Sequence, residues 1–272
     1  MASLAEAHPK TTVVFTTACD QMRRAADAVS FKAGSRIFLF NLPATWQSPA
    51  ARRLYHAELA RLGKHLETVG GRAPTAEELA TVIHEHEVRR AALRHLIQQS
   101  SARQGAEALA GWFDGGSSLP APSDTTTQGV RLALVGGPLL PSHWLLFDAI
   151  AAASGCVVLN ATEPGERCLL PPLPTLTPGR DPLSALADHY FDHAVDVFHR
   201  PNSRLYDWLR PRLAERQAQG LVVWHNVGCD LWRAEAQPLR EAFGLPVLLL
   251  EADGAALPRN IGRLEAFLES LR

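Results

Sequence analysis

The chain has 272 residues, of which 46% are hydrophobic and 20% charged, and a formal net charge of -1. That size and apolar content exclude wholesale disorder, and basic residues spread rather than striped argue against nucleic acid or an anionic membrane surface as partner. Four cysteines are too few for a disulfide scaffold in so long a chain, so thiols or metal ligands in a reducing, cytoplasmic setting are expected. The first ten residues lack a basic region and an apolar core, and no apolar run is long enough to span a bilayer; neither a signal peptide nor a membrane span is expected.

In chain order the pattern predicts a strand at 11–17, a helix at 20–31, a strand at 36–41 and helices at 49–69 and 76–113. A strand at 130–136, a helix at 142–154 and a strand at 156–160 follow. Then come helices at 182–198 and 203–219, a strand at 221–226, a helix at 231–243, a strand at 247–251 and a helix at 258–271. Each strand is a near-continuous apolar run, the mark of a sheet covered on both faces. Thr75 and Glu78 form a capping box before the long helix.

Strand alternating with helix predicts an α/β protein with doubly wound, Rossmann-like parallel sheets. Residues 114–129, rich in Gly, Ser, Pro and Thr, read as a linker between an N-terminal α/β domain (1–113) and a C-terminal doubly wound domain (130–272). The first domain has two predicted strands, fewer than a stable sheet normally needs, and reads as helix-rich and incomplete at its N-terminus. Its open apolar edge predicts association with itself or with a related subunit.

In open parallel sheets ligands sit beyond the carboxyl ends of the strands. Two of the six strand-end turns carry the same pair, Cys19-Asp20 and Cys229-Asp230. The Asp has a plain structural role as an N-cap opening the next helix. The Cys has none, and beside a helix N-terminus a thiol ionises more readily, which suits a reactive or metal-ligating thiolate; a buried, inert thiol is the alternative. Cys156, inside a strand, reads as a small core residue, and Cys168, in a loop after Glu166-Arg167, as a spectator that is also carried as a third candidate ligand. Nucleotide-binding glycine signatures, a nucleophile elbow and a Cys-x-x-Cys are absent. His84-Glu85-His86-Glu87 starts like a zinc-protease helix, but Val88 occupies the second His position, so a solvated helix face is expected. Trp46 and Trp232 follow strand ends and are candidates for shielding a site from water.

Residues 16–29, which contain Thr17-Ala18-Cys19-Asp20, resemble a motif of the 2-hydroxyacyl-CoA dehydratase D-component family. That family includes subunits of 2-hydroxyglutaryl-CoA dehydratase and of ATP-dependent benzoyl-CoA reductase. The likeness continues through Phe38-Leu-Phe-Asn-Leu-Pro43 and Tyr55-His-Ala-Glu-Leu59. It resumes at Gly136-Gly-Pro138, Gly165-Glu-Arg167, Asn202-Ser-Arg204, Cys229-Asp-Leu-Trp232 and Arg263-Leu-Glu-Ala-Phe267, in family order across nearly the whole chain.

The resemblance implies two doubly wound domains facing a cleft, with a [4Fe–4S] cluster held there by three cysteines. It further implies an acyl-CoA substrate, a related partner subunit and an ATP-hydrolysing activator that supplies one low-potential electron. That electron makes a ketyl at the thioester, which expels the 2-hydroxyl; in benzoyl-CoA reductases related clusters feed the aromatic ring instead. By motif, Cys19 and Cys229 correspond to two of the cluster ligands. The third family ligand lies upstream of the Cys19 segment, and no Cys stands among residues 1–18. The expectation is therefore a dehydratase-like lyase subunit, truncated or degenerate, unable to hold the cluster in the family's way unless Cys168 or a partner supplies a ligand. The rivals are an oxidoreductase subunit of the benzoyl-CoA reductase type and a non-catalytic partner subunit without a cluster.

Overall fold

The computed structural model describes residues 12–33, 37–116, 118–121, 128–177, 179–252 and 257–272. In chain order the elements are β1 (Val13–Thr16), α1 (Asp20–Ala33), β2 (Ile37–Phe40), α2 (Pro49–Thr68), α3 (Ala76–Gln98), α4 (Ala102–Phe113) and β3 (Val130–Gly136). They continue as α5 (Leu145–Ala152), β4 (Gly155–Ala161), α6 (Pro182–His193), α7 (Ser203–Glu215), β5 (Gly220–Asn226), α8 (Asp230–Phe243), β6 (Val247–Ala252) and α9 (Leu257–Ser270). Short 3-10 turns at Pro141–His143 and Glu166–Cys168 precede α5 and follow β4. The chain is α/β, and among the described residues every strand pairs parallel, in a two-stranded and a four-stranded sheet. Among the described residues no helix is long and apolar enough to cross a membrane.

Contacts divide the chain into two compact units. The first comprises Met1–His86, Pro172–Ala194 and Phe198–Asn202; the second comprises Glu87–Pro171, Val195–Val197 and Ser203–Arg272. The segment 114–129 lies inside the second unit, and its residues 117 and 122–127 fall outside the described ones.

In the first unit β1 pairs with β2 in the register Val13↔Ile37 to Thr16↔Phe40. Phe15 is fully buried against Ala26 and Val29 of α1. Tyr55 of α2 sets its ring 5.8 Å from Phe40 and 5.8 Å from Phe191, so α6 packs onto this unit although it lies far along the chain. Charges fix the same pairing. Arg52 bonds Asp188 at 2.8 Å and also Asp192, and His56 Nε2 lies 2.9 Å from Asp188 Oδ1. Positions 52 and 56 on one helix, and 188 and 192 on the other, each share a face at i, i+4 spacing.

In the second unit the strand order is β4-β3-β5-β6. Alternation along each strand separates two cores. Leu132, Leu134, Val222, Trp224 and Leu250 face α5 and α9; Ala133, Val135, Leu159, Leu221 and Val223 face α7 and α8. The register of β4 slips between Leu132↔Val157 and Ala133↔Leu159, so a bulge at Val158 keeps Leu159 on the α8 side. Each fully buried Leu or Val on these faces contributes about 1.5–3 kcal/mol.

Two predicted helices end differently. The run 76–113 is two helices, α3 and α4, because Ser101 caps the second and accepts a hydrogen bond from Gln104 N at 3.2 Å. The run 182–198 stops at His193, and Val197 is buried in the core of the second unit. The Thr75–Glu78 capping box is present: Glu78 N donates to Thr75 Oγ1 at 3.2 Å and Thr75 N to Glu78 Oε2 at 2.8 Å. His84, Glu85 and His86 are exposed on α3, and Glu87 pairs with Arg90.

Candidate functional site

Among the described residues the sheet of the second unit has one topological switch point. From β3 the chain runs through α5 to β4 on one side, whereas β5 leads through α8 to β6 on the other. Because α5 and α8 cover opposite faces, the carboxyl ends of β3 and β5 flank the crevice where such sheets bind ligands. Gly136 makes this junction possible. Its φ is +149°, and a Cβ there would lie 1.9 Å from the Trp224 carbonyl oxygen. The next residue, Gly137, donates its N–H to that oxygen at 2.9 Å.

On the β5 side, Gly228 (φ 76°) turns the chain and Cys229 becomes the N-cap of α8. Cys229 N donates to Asn226 O at 2.9 Å, and Arg233 N donates to Cys229 O at 3.2 Å. The Cys229 side chain makes no capping hydrogen bond, and the half-buried thiol stands at the positive end of a 14-residue helix. The expected role of Asp230 shifts by one position: it occupies the exposed first turn and pairs with Arg233 at 2.9 Å. In the first unit, Arg23 N likewise donates to Cys19 O at 3.3 Å, so Cys19 directly precedes α1 and Asp20 opens it. Thr17 positions that turn by donating its N–H to Phe40 O and accepting from Leu42 N at 2.9 Å.

At the carboxyl ends of β3 and β4, Arg167 ties the strand ends together. Its guanidinium donates to Ala161 O at 2.7 Å, Gly136 O at 2.6 Å, Val195 O at 2.8 Å and Asp196 Oδ2 at 2.7 Å. It also lies 4.8 Å from the ring centroid of Trp232, which is buried as a core anchor rather than exposed as a shield. Trp46 donates its indole N–H to Pro201 O at 3.0 Å within the first unit. Gly165 is needed because a Cβ there would meet Asn160 O at 2.4 Å. Glu166 holds Arg216 through two bonds of 2.6 Å.

Two further groups stand on strand-end loops of the second unit, His143 after β3 and Glu163 after β4, without having been singled out from sequence. Glu163, whose N–H donates to Gly137 O at 3.2 Å, has an exposed side chain. The protein around it and the nearby Asp196 still raise its carboxyl above the usual range, against Arg167. His143 accepts from Leu140 N on Nδ1 at 3.3 Å, which leaves the proton of its neutral ring on Nε2. Burial lowers its pKa, and the ring lies 5.2 Å from Trp224. No sequence signal marked either residue, since each depends on which strands become neighbours.

The remaining cysteines differ in kind. Cys156 is buried in β4, where burial raises its pKa against the pull of Arg131. Cys168 keeps part of its surface open, yet burial pushes its thiol up to about 12 against Arg167 and Arg90. Both are poor thiolate donors. Among the described residues no three His, Cys, Asp or Glu side chains converge to hold a metal. The donor set offers two helix-end thiols, short of the three that the resemblance implies, and does not fit a complete cluster site on this chain alone.

A comparison with curated proteins finds no match. The family model for 2-hydroxyglutaryl-CoA dehydratase, D-component, matches residues 2–271. The match takes in the Cys19 turn, the Tyr55–Leu59 face of α2, the Gly136–Pro138 junction, the Arg167 clamp and the Cys229 cap. The chain therefore belongs to the 2-hydroxyglutaryl-CoA dehydratase, D-component family.

Proposed function

We propose that this chain is a subunit of a 2-hydroxyacyl-CoA dehydratase, which removes water from a 2-hydroxyacyl-CoA together with a related subunit and an ATP-dependent activator. The observation that carries the reading is the position of Cys229, the N-cap of α8 at the end of β5, beside the point where the strand order reverses. A helix N-terminus favours the thiolate over the thiol. In this reading Cys229 is a thiolate donor of the second unit for iron–sulfur chemistry and Cys19 one of the first, each with further ligands from outside its own unit. Glu163, after β4, and His143, after β3, are proposed as groups able to give or take protons on the strand-end loops.

The shortfall of donors favours a second reading, a subunit that shapes the complex without holding a cluster. Anaerobic purification of the chain, alone and with a related subunit, separates the two when iron, sulfide and dehydration of a 2-hydroxyacyl-CoA are measured. The dehydratase reading expects iron and activity with the partner, both lost in Cys19→Ser and in Cys229→Ser. Iron and activity that survive both substitutions assign the second role. Reduction of an aromatic acyl-CoA in place of dehydration identifies the benzoyl-CoA reductase type.

A further inference from the structure

A cavity of about 440 Å³ lies in the second unit at the amino ends of β3 and β4, the opposite end of the sheet from Cys229. It is bounded by the α3–α4 junction, by α5 and by the first residues of β4. Its charged lining is Arg103, Arg131 and Arg216 against the single carboxylate of Asp148, in a chain whose net charge is -1.

These arginines are not equally neutralised. Arg216 is held by Glu166, and Arg103 by Glu107 and Asp148 at 2.8 and 2.9 Å. Arg131 forms no ion pair among the described residues. Its Nε and Nη2 donate to the Arg216 carbonyl at 2.8 and 2.6 Å, which leaves Nη1 as a fixed donor. The twelve-residue α4 starts at the same wall. Ser101 caps Gln104 N, so the N–H groups of Ala102 and Arg103 remain at the positive helix end. Ser100 lines the cavity too; it is 7% exposed, and its hydroxyl has no hydrogen-bond partner. Phe147 and Ile150 supply an apolar wall. The volume falls within the roughly 300–1,000 Å³ common for small-molecule sites.

We propose that this cavity is a second binding site, for a phosphate-bearing small molecule. Arg131, Arg103 and the start of α4 hold the phosphate, and the apolar part of the ligand rests on Phe147 and Ile150. Planar guanidinium groups and a helix N-terminus together select a multiply charged oxyanion over a single carboxylate. The site draws on none of the strand-end residues that carry the dehydratase reading, so the two stand or fall separately.

Calorimetric titration of the full chain with inorganic pyrophosphate and with adenosine diphosphate tests it. Saturable binding of at least one probe is expected, weakening as salt rises from about 50 to about 200 mM. Arg131→Gln is expected to weaken it at least about tenfold. If that variant does not fold, because the Arg216 carbonyl loses its partner, Arg103→Gln carries the same expectation. Tighter binding of adenosine diphosphate supports a site that also takes a base, and equal binding supports recognition of phosphate alone. Absence of saturable binding for both probes, or binding unchanged in the folded variants tested, overturns the proposal.

Discussion

Arg167 Nη1 donates to Asp196 Oδ2 at 2.7 Å, while the same guanidinium closes the carbonyl ends of β3 and β4. The Arg167 side chain is 3% exposed, so this ion pair is buried on one partner and leaves few polar groups of the guanidinium unmatched. Arg167→Met removes the ion pair and withdraws a donor from three carbonyls at once. A loss of about 3–5 kcal/mol in urea unfolding is expected. Arg167→Lys should recover only a small part, because a single ammonium cannot span four acceptors.

Asp188 gives the first unit a definite pH dependence. Burial works to raise its pKa, but the hydrogen bonds from Arg52 and His56 prevail and hold it below the usual carboxylate range. A depressed carboxylate stabilises the folded state above its unfolded pKa, about 3.9, and that stability is lost as pH falls through the lower folded value. The wild type should therefore exceed Asp188→Asn in urea midpoint at pH 7. The gap should narrow progressively below about pH 4. A gap that is constant from neutral pH to acid would contradict the assignment.

Two glycines predict opposite outcomes. Gly136→Ala places a Cβ 1.9 Å from the Trp224 oxygen at a φ of +149°. It should destabilise by more than about 3 kcal/mol, since β3 and β5 must separate to admit it. Gly63, inside α2, has nothing within 4 Å of an added Cβ. Gly63→Ala should stabilise by about 0.5–1 kcal/mol through helix propensity and reduced unfolded-state freedom. Thermal melts of the two variants, run side by side, check both signs.

Thiol reactivity separates the cysteines. A thiol whose pKa burial raises is far less ionised near neutral pH and reacts more slowly with alkylating agents. Cys168 is of this kind, and Cys156 is buried with its pKa raised. Under native iodoacetamide labelling followed by peptide mass mapping, Cys19 and Cys229 should be modified well before Cys156 and Cys168. Early modification of Cys168 would show that its burial is not maintained in solution.

The sequence by itself determined the elements and their class. The apolar runs at 130–136, 221–226 and 247–251 became β3, β5 and β6 almost residue for residue, because a strand covered on both faces leaves a continuous local signal. Cys19 and Cys229 were legible as strand-end, helix-start residues for the same local reason, although Cys took the capping position expected of Asp. Only the tertiary structure decided what depends on distant partners. Strand order placed the switch point between β3 and β5, and the bulge at Val158 kept β4 in phase with both cores. Residues 172–194 joined the first unit because Asp188 and Asp192 meet Arg52 across more than a hundred residues of chain. The clamp of Arg167, the raised pKa of Cys168 and the placement of Glu163 and His143 arise from burial and from neighbours brought together by folding. No local pattern encodes them.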